Sequence, residues 1–307
     1  MIYTSERTDL KLEIPNVSIT EYALRHAERL ADKPALIDGP SGRSLTYGQL
    51  AGGIKKVAGG LYARGFRKGD VLAIYCPNMP EYALVFNAVA SVGGINTTVN
   101  PLYTAAELAK QLNDANARFL VTVPPFLDKA LEAAGSSSVE EVFVFGEGEG
   151  ARSFSELMST DSPAPAVEID PKNDLVVLPY SSGTTGLPKG VMLTHANILS
   201  NVRASRQVIP MNSDDVALSF LPLSHSLERT VIYVYLCEGV TVAFAESLET
   251  IGRDLQMIKP TLMTGVPRVY EKVHARVLES VAQAPVMRQK IFGWAIRTGW
   301  GRASRQF

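Results

Sequence analysis

The alternation of short apolar runs with longer amphipathic segments limits this chain to few folds. Runs at 34–38, 118–123 and 141–146 have the length and composition of strands. Between the first two, one helical face is formed by apolar residues at positions i, i+4, i+7 and i+11, namely Leu50, Ile54, Val57 and Leu61. Strands separated by helices pair in parallel, with the helices on the sheet faces. The pattern predicts an α/β fold of parallel sheets flanked by helices.

Several helix starts are marked by their first residues. Pro80 stands where a first helical turn accepts proline. Thr104 and Glu107 have the spacing of a capping box, and Ser153 and Glu156 repeat it. We therefore expect helices to begin at these three places.

The second half of the chain continues the alternation. Apolar runs at 215–223, 240–245 and 261–265 predict strands, and 248–260 predicts a helix. The segment 159–174, rich in Pro, Asp and Ser, is the best candidate for an internal linker.

Composition is that of an ordinary soluble protein. Hydrophobic residues make up 46% and charged residues 20%, and the net charge of −1 gives no reason to expect nucleic acid as a partner. No apolar run approaches the roughly 20 residues that span a bilayer, and the polar N-terminus has no signal-peptide core. Cys76 and Cys237 lie in apolar segments, which favours buried, reduced thiols. These features predict a cytoplasmic location.

One stretch, YSSGTTGLPKGVMLTH at 180–195, does not fit a purely structural role. Its apolar flanks predict a strand, a turn and a second short strand. Its glycines allow close backbone approach to a ligand, and its hydroxyls and single lysine suit phosphate oxygens. The contributing residues are Ser181, Ser182, Gly183, Thr184, Thr185, Gly186, Lys189 and Gly190. A plain hairpin turn or flexible linker is the alternative, and a Walker loop is disfavoured because Gly190, not Ser or Thr, follows Lys189.

This stretch resembles the signature loop of the AMP-forming acyl-adenylate synthetases. The resemblance extends to LTYGQL at 45–50, to the segment 69–108 and to LPLSHSLERT at 221–230. It implies that the chain is the front portion of the large N-terminal AMP-binding domain, without the C-terminal lid domain.

The resemblance also implies a reaction in two steps. A carboxylic acid reacts with ATP and Mg²⁺ to give an acyl-adenylate and pyrophosphate, and coenzyme A then displaces AMP to give a thioester. It implies that the eight loop residues bind ATP, that Lys189, Thr184 and His225 act in catalysis, and that Thr184 helps to hold Mg²⁺.

The substrate side is less constrained. The first half is more similar to 4-coumarate–CoA ligases and the later part to long-chain fatty acyl-CoA synthetases, so a fatty acid is preferred and an aryl acid stays open. His225 falls where the family often has a histidine near the acyl and thiol channel, although a structural role is equally open. Thr264 and Gly265 resemble a segment on the acyl-binding side. Small molecules are the expected partners, and peripheral membrane association is left open.

Three further residues have simpler interpretations. Glu228 and Arg229 are expected to form a local salt bridge. His195, which ends the loop stretch, is expected to cap or pack rather than to catalyse.

The family's later motifs, including its C-terminal catalytic lysine, do not occur in the 307 residues. The helical pattern at 285–307 also shows no stop signal. We therefore expect a front portion of a longer enzyme that is inactive alone. The alternative is a non-catalytic interaction module.

Overall fold

A computed structural model describes residues 12–182 and 188–303. The chain divides into two compact units, one ending at Met263 and the other beginning at Thr264. The helices of the first unit are α1 Ile19–Ala23, α2 Tyr47–Ala63, α3 Pro80–Ser91, α4 Ala105–Asp114, α5 Leu127–Ala134, α6 Ser155–Met158, α7 His195–Val208, α8 Ser226–Cys237 and α9 Ile251–Ile258. Its strands are β1 Pro34–Asp38, β2 Ser44–Thr46, β3 Val71–Tyr75, β4 Ile95–Thr98, β5 Ala117–Thr122, β6 Glu141–Val144, β7 Arg152–Ser153, β8 Leu175–Ser182, β9 Pro188–Gly190, β10 Leu193–Thr194, β11 Val216–Ser219, β12 Thr241–Phe244 and β13 Leu262–Met263.

These strands form two sheets. One has the order β13-β11-β12-β1-β2 and is parallel except for β2, which returns antiparallel along β1. The other has the order β10-β8-β4-β3-β5-β6-β7, with antiparallel pairing only where β10 and β9 join β8. The predicted α/β fold with parallel sheets and flanking helices is confirmed.

The central strands of the second sheet are buried on both faces. All five residues of β3 are buried. Leu72 and Ile74 join the apolar cluster that contains α2 and α3, while Val71, Ala73 and Tyr75 join the cluster beneath α4 and α5. Because both faces are covered by helices, the strand sequence is continuously apolar rather than alternating. This arrangement confirms the strand predictions made from such runs.

Two of the three predicted helix starts are confirmed. Pro80 occupies the first turn of α3, and the Thr104–Glu107 capping box opens α4. At the third place a helix does begin, α6 at Ser155, but its N-cap is Phe154 and Ser153 belongs to β7, so the expected capping box does not form. Ser153 pairs with Val144 at the edge of the sheet, and this strand pairing replaces the role of helix cap.

The segment 159–170 contains no helix or strand, yet it packs closely on α2. A Cβ added at Gly59 would lie 2.1 Å from the carbonyl oxygen of Ser162. Lys68 forms an ion pair with Asp174, four residues beyond this segment. The interpretation of 159–174 as a linker remains a prediction.

The second unit consists of α10 Pro267–Ala282 and α11 Val286–Ala303. Pro267 occupies the first turn of α10. Within the described residues of the chain, no helix is both long and apolar enough to cross a membrane.

Candidate active site

The two ends of the glycine-rich stretch form a β-hairpin. Strand β8 runs through Tyr180, Ser181 and Ser182, and β9 returns antiparallel so that Ser181 faces Lys189. The predicted first strand is therefore confirmed as β8, whereas the second strand, β9, lies within the glycine-rich stretch and not in the apolar run 191–193, of which only Leu193 belongs to a strand, β10. Positions 183–187 lie outside the described residues, and with them the predicted roles of Gly183, Thr184, Thr185 and Gly186. Of Ser182, only its place on β8 is described.

The base of this hairpin is fixed by the contact between Gly190 and Tyr180. A Cβ at Gly190 would lie 3.1 Å from the Tyr180 ring, so a larger residue would push the strands apart. The Tyr180 hydroxyl donates a hydrogen bond to the carboxylate of Asp114 on α4. Burial, followed by the hydrogen bond to Asp114, raises the pKa of Tyr180 and keeps its phenol neutral.

Ser181 and Lys189 both have exposed side chains. As directly opposed residues of an antiparallel pair, they project from the same face of the hairpin. A hydroxyl and an ammonium group thus lie side by side and accessible. This pairing suits an anionic oxygen, which both groups can bind by donating hydrogen bonds.

The hairpin lies close to a loop of the other sheet. β4 and β8 are parallel neighbours, and Thr98 at the end of β4 pairs with Pro179. The Thr98 hydroxyl donates to the carbonyl oxygen of Ser224 at 3.2 Å and accepts from Arg229 at 2.8 Å. Ser224 belongs to the loop that follows β11. Carboxyl ends of strands from both sheets therefore meet here, which is where ligands bind in open α/β sheets.

His225 stands at the end of that loop, directly before α8. Its side chain is exposed and makes no capping hydrogen bond, while its backbone N–H donates to Pro222. The side chain is thus accessible on the same edge as the hairpin.

Asn78, which follows β3, holds this loop by two hydrogen bonds. No local pattern indicates this role of Asn78, because its partners are backbone atoms 143 and 145 residues away.

The expected salt bridge between Glu228 and Arg229 does not form. Both side chains are buried and each finds another partner. A Glu228 oxygen accepts from the Ser219 hydroxyl at 2.5 Å, and the second oxygen is buried without a hydrogen-bond partner. Burial raises the pKa of Glu228 to about 7. Consecutive residues point to different sides of a helix, so this pair could not meet once α8 formed.

Arg229 lies in an apolar setting on the other side of α8. Besides Thr98, its guanidinium contacts the carbonyl oxygen of Leu223 at 3.4 Å and stacks near the Phe86 ring. An adjacent cavity of about 20 Å³ is lined by Tyr82 and Tyr233, among others, and has room for a single water molecule. Arg229 therefore links the loop after β11, through Leu223, to the end of β4, through Thr98.

His195 is packed, as expected. It is fully buried at the start of α7, and its Nδ1 accepts a hydrogen bond from the Ile19 N–H at 3.2 Å. Burial lowers the pKa of His195 to about 4, so the ring is neutral. The helix cap is supplied by Thr194, in a capping box with Asn197.

The two predicted acyl-side residues open the second unit. There, Gly265 lies under the Tyr270 ring, which would stand 2.9 Å from an added Cβ. Thr264 is partly buried. Their acyl-binding role stays a prediction.

Comparison with known proteins identifies the family. A family model described as AMP-binding enzyme matches residues 24–297. A 4-coumarate–CoA ligase of Petroselinum crispum is 33% identical over 297 residues, covering 94% of this chain and 52% of the relative. A second, from Humulus lupulus, is 35% identical and covers 92% and 52%. The chain thus spans about half the length of these curated relatives.

Solved structures show the same fold. The crystal structure of a long-chain-fatty-acid–CoA ligase from Archaeoglobus fulgidus superposes with a TM-score of 0.80 and 28% identity, covering 88% of this chain and 55% of that one. An anthranilate–CoA ligase structure superposes with a TM-score of 0.75 at 23% identity. The chain belongs to the AMP-binding enzyme family.

Proposed function

We propose that the protein activates a carboxylic acid with ATP to an acyl-adenylate and then transfers the acyl group to coenzyme A. The exposed Ser181–Lys189 pair, beside the His225 loop, carries this proposal. In the first step a carboxylate oxygen bonds to the α-phosphorus and pyrophosphate leaves. In the second step the thiol sulfur bonds to the acyl carbon and AMP leaves.

The chain's own residues would act mainly on the departing phosphates. Negative charge accumulates on the β,γ-phosphates as the bond breaks, and fixed donors stabilise it there. Lys189 supplies the positive charge. Hydroxyls of Ser181, Ser182, Thr184 and Thr185 supply further donors, and Thr184 would contact the Mg²⁺ that accompanies ATP. His225 would stand near the acyl and thiol groups.

The preferred substrate is a fatty acid. The likeness to a solved long-chain-fatty-acid–CoA ligase supports it, whereas the 4-coumarate–CoA ligase relatives support an aryl acid as the second candidate. Within the proposal, Thr264 and Gly265 line the acyl side, the protein works in the cytoplasm, and it associates peripherally with membranes. The chain would form the front portion of the large AMP-binding domain, with 159–174 as an internal linker.

Nucleotide binding by the 307-residue chain tests the site. Lys189→Ala should weaken ATP binding by about tenfold or more, the usual effect of losing one hydrogen bond to a charged group. AMP binding should change far less, because AMP lacks the β,γ-phosphates. Lys172→Ala removes another exposed lysine and should leave both affinities unchanged. Equal losses for ATP and AMP, or no loss, would contradict the assignment.

Acid-dependent ATP–pyrophosphate exchange tests the reaction. We expect exchange from the product of the extended reading frame and none from the 307-residue chain. A screen of fatty and aryl acids in the same assay separates the two substrate classes. Exchange by the short chain alone would show that the later family motifs are not needed for adenylation.

A further inference from the structure

Strand β8 leaves its sheet at Tyr180. Its pairing with β4 ends at Pro179, and from Tyr180 onwards its only strand partner among the described residues is β9, where Tyr180 pairs with Gly190. A two-stranded hairpin without further partners is marginally stable in water. The position of Lys189 on β9 therefore depends on the contacts that fix this hairpin to the rest of the first unit.

The Tyr180 side chain provides such a contact. Successive residues of a strand project to opposite faces, so Tyr180 lies on the face away from Ser181 and Lys189. On that face its ring packs over Gly190 and against the apolar cluster beneath α4 and α5, and its hydroxyl donates to Asp114. Tyr180 thus joins the hairpin to α4 and leaves the face with the exposed hydroxyl and ammonium groups free.

Asp114 is placed against the dipole of α4. It is the last residue of this helix, whose last turn contains no basic residue. The negative end of a helix dipole disfavours an acidic side chain. The hydrogen bond from Tyr180 offsets this, because a donor to a carboxylate forms one of the stronger hydrogen bonds in proteins. Burial, followed by the hydrogen bond to Asp114, raises the pKa of Tyr180, so the phenol keeps its proton and remains the donor.

We propose that Tyr180 and Asp114 are positioning residues, which hold β9 so that the Lys189 ammonium group reaches the terminal phosphates of bound ATP. Both residues act through Lys189. The inference rests on the proposed function, in which Lys189 binds the departing phosphates, and adds the contacts that set the place of this lysine. Such support matters because a displacement of about 1 Å removes much of the effect of a binding group.

Nucleotide affinities of the 307-residue chain test this assignment. Tyr180→Phe keeps the ring over Gly190 and removes only the hydroxyl. Its affinity for ATP should fall by about fivefold, the usual effect of losing one hydrogen bond. Its affinity for AMP should stay unchanged, because AMP lacks the phosphates on which Lys189 acts.

Variants of Asp114 test the other half of the contact. Asp114→Ala should weaken ATP binding as much as Tyr180→Phe does. Asp114→Asn keeps an oxygen that accepts from the phenol, so its ATP affinity should stay within about twofold of wild type.

A double-mutant cycle separates positioning from a general effect on the fold. In the presence of Lys189→Ala, Tyr180→Phe should weaken ATP binding no further, because its effect is transmitted through the lysine. A residue that only stabilised the fold would add its effect in either background. Tyr47→Phe is the matched control. It removes a buried phenol that donates to the Val240 carbonyl oxygen at 2.8 Å, and both nucleotide affinities should stay unchanged.

Hydrogen exchange tests the attachment of the hairpin without nucleotide. The Val191 N–H donates to the Pro179 carbonyl oxygen at 2.9 Å, next to the Tyr180–Gly190 pair. Its exchange should be about fivefold faster in Tyr180→Phe and in Asp114→Ala, and unchanged in Tyr47→Phe.

Four outcomes would overturn the proposal: an unchanged Val191 exchange rate in Tyr180→Phe, an unchanged ATP affinity, equal losses for ATP and AMP, or a loss that persists beside Lys189→Ala. Failure of the proposed function is recognised separately. If Lys189→Ala binds ATP as well as wild type does, both assignments are refuted, whereas a loss in Lys189→Ala with none in Tyr180→Phe refutes the positioning alone. Absence of ATP binding by wild type would count against the proposed function, and the Val191 exchange rate would still decide whether Tyr180 and Asp114 hold the hairpin.

Discussion

The side chain of Asn78 holds the backbone on both sides of Pro222, most directly through Leu223. Asn78 Oδ1 accepts from the Leu223 N–H at 2.9 Å, and Nδ2 donates to the Leu221 carbonyl oxygen at 2.7 Å. Asn78 follows β3 of one sheet, and the loop it holds follows β11 of the other. Two hydrogen bonds from one amide thus fix the loop that ends at His225 relative to the sheet that carries the hairpin.

Replacing Asn78 by alanine should loosen this loop. Two partly buried backbone groups would lose their partner, so we expect the free energy of unfolding to fall by about 2 kcal/mol. The Leu223 amide should exchange its hydrogen faster in native-state exchange experiments. Asn78→Asp retains the acceptor for Leu223 but not the donor for Leu221, so its loss should be intermediate.

Asn113→Ala serves as the matched control for Asn78→Ala. Asn113 also donates to two backbone carbonyls, those of Ala109 and Ser136, but at an exposed site where water can replace it. We expect a smaller loss of stability and no change at Leu223. Equal effects of the two alanine variants would show that Asn78 is an ordinary surface amide.

The fold could be predicted because its signals are local. Helical spacing on α2, the continuous apolar run of β5 and the capping box at Thr104 each follow from neighbouring residues, and the structure contains all three elements. Strand order is different in kind. That β12 lies between β11 and β1 depends on contacts between residues some 200 positions apart, which no local pattern encodes.

In the site, too, features set by neighbouring residues were predictable and features set by distant contacts were not. The strand that leads into the glycine-rich stretch was predictable from its apolar run, but the place of Lys189 on β9 was not, because its residues have the composition of a loop. The separate environments of Glu228 and Arg229 were not, because they depend on Ser219 and Thr98, which lie on strands of different sheets. Adjacent opposite charges indicate a salt bridge only when the backbone lets the side chains meet, and α8 does not.

Glu228 should give the protein an unusual dependence of stability on pH. Its pKa is raised from 4.5 to about 7 by burial, so the folded state holds the proton more tightly than the unfolded state. The resulting stability is fully present below pH 4.5 and is lost as the pH rises to about 7. At acid pH, Glu228→Gln should therefore have about the same free energy of unfolding as wild type. Near pH 8 it should be more stable, by on the order of 3 kcal/mol. Urea unfolding across this range measures the difference.

Glu132→Gln makes the same chemical change at an exposed residue and should show no such divergence. If the Glu228→Gln and wild-type curves run parallel from acid to alkaline pH, Glu228 is ionised throughout and its burial does not control its protonation.

His195 should produce the opposite slope. Burial lowers its pKa from 6.5 to about 4, so the unfolded state binds the proton more tightly. Stability from this group is complete above pH 6.5 and is lost as the pH falls to about 4. His195→Asn keeps an acceptor for Ile19 but cannot titrate. As the pH is lowered from about 8 to about 5, the free energy of unfolding of this variant should rise by about 2 kcal/mol relative to that of wild type. His274→Asn, on exposed α10, is the control, and an identical shift there would remove the assignment to His195.

Two glycines of α2 should respond to alanine in opposite ways. A Cβ at Gly60 would lie 2.2 Å from the carbonyl oxygen of Leu157 and 2.7 Å from its Cα, so the end of α6 would have to move. We expect Gly60→Ala to lower the free energy of unfolding by about 3 kcal/mol. A Cβ at Gly52 meets nothing within 4 Å, so Gly52→Ala should gain about 0.5–1 kcal/mol from helix propensity alone. Because the helix and the substitution are the same, the difference between the two variants in thermal or urea unfolding isolates the contact with Leu157. Similar effects at both positions would show that α6 does not pack against α2 in solution.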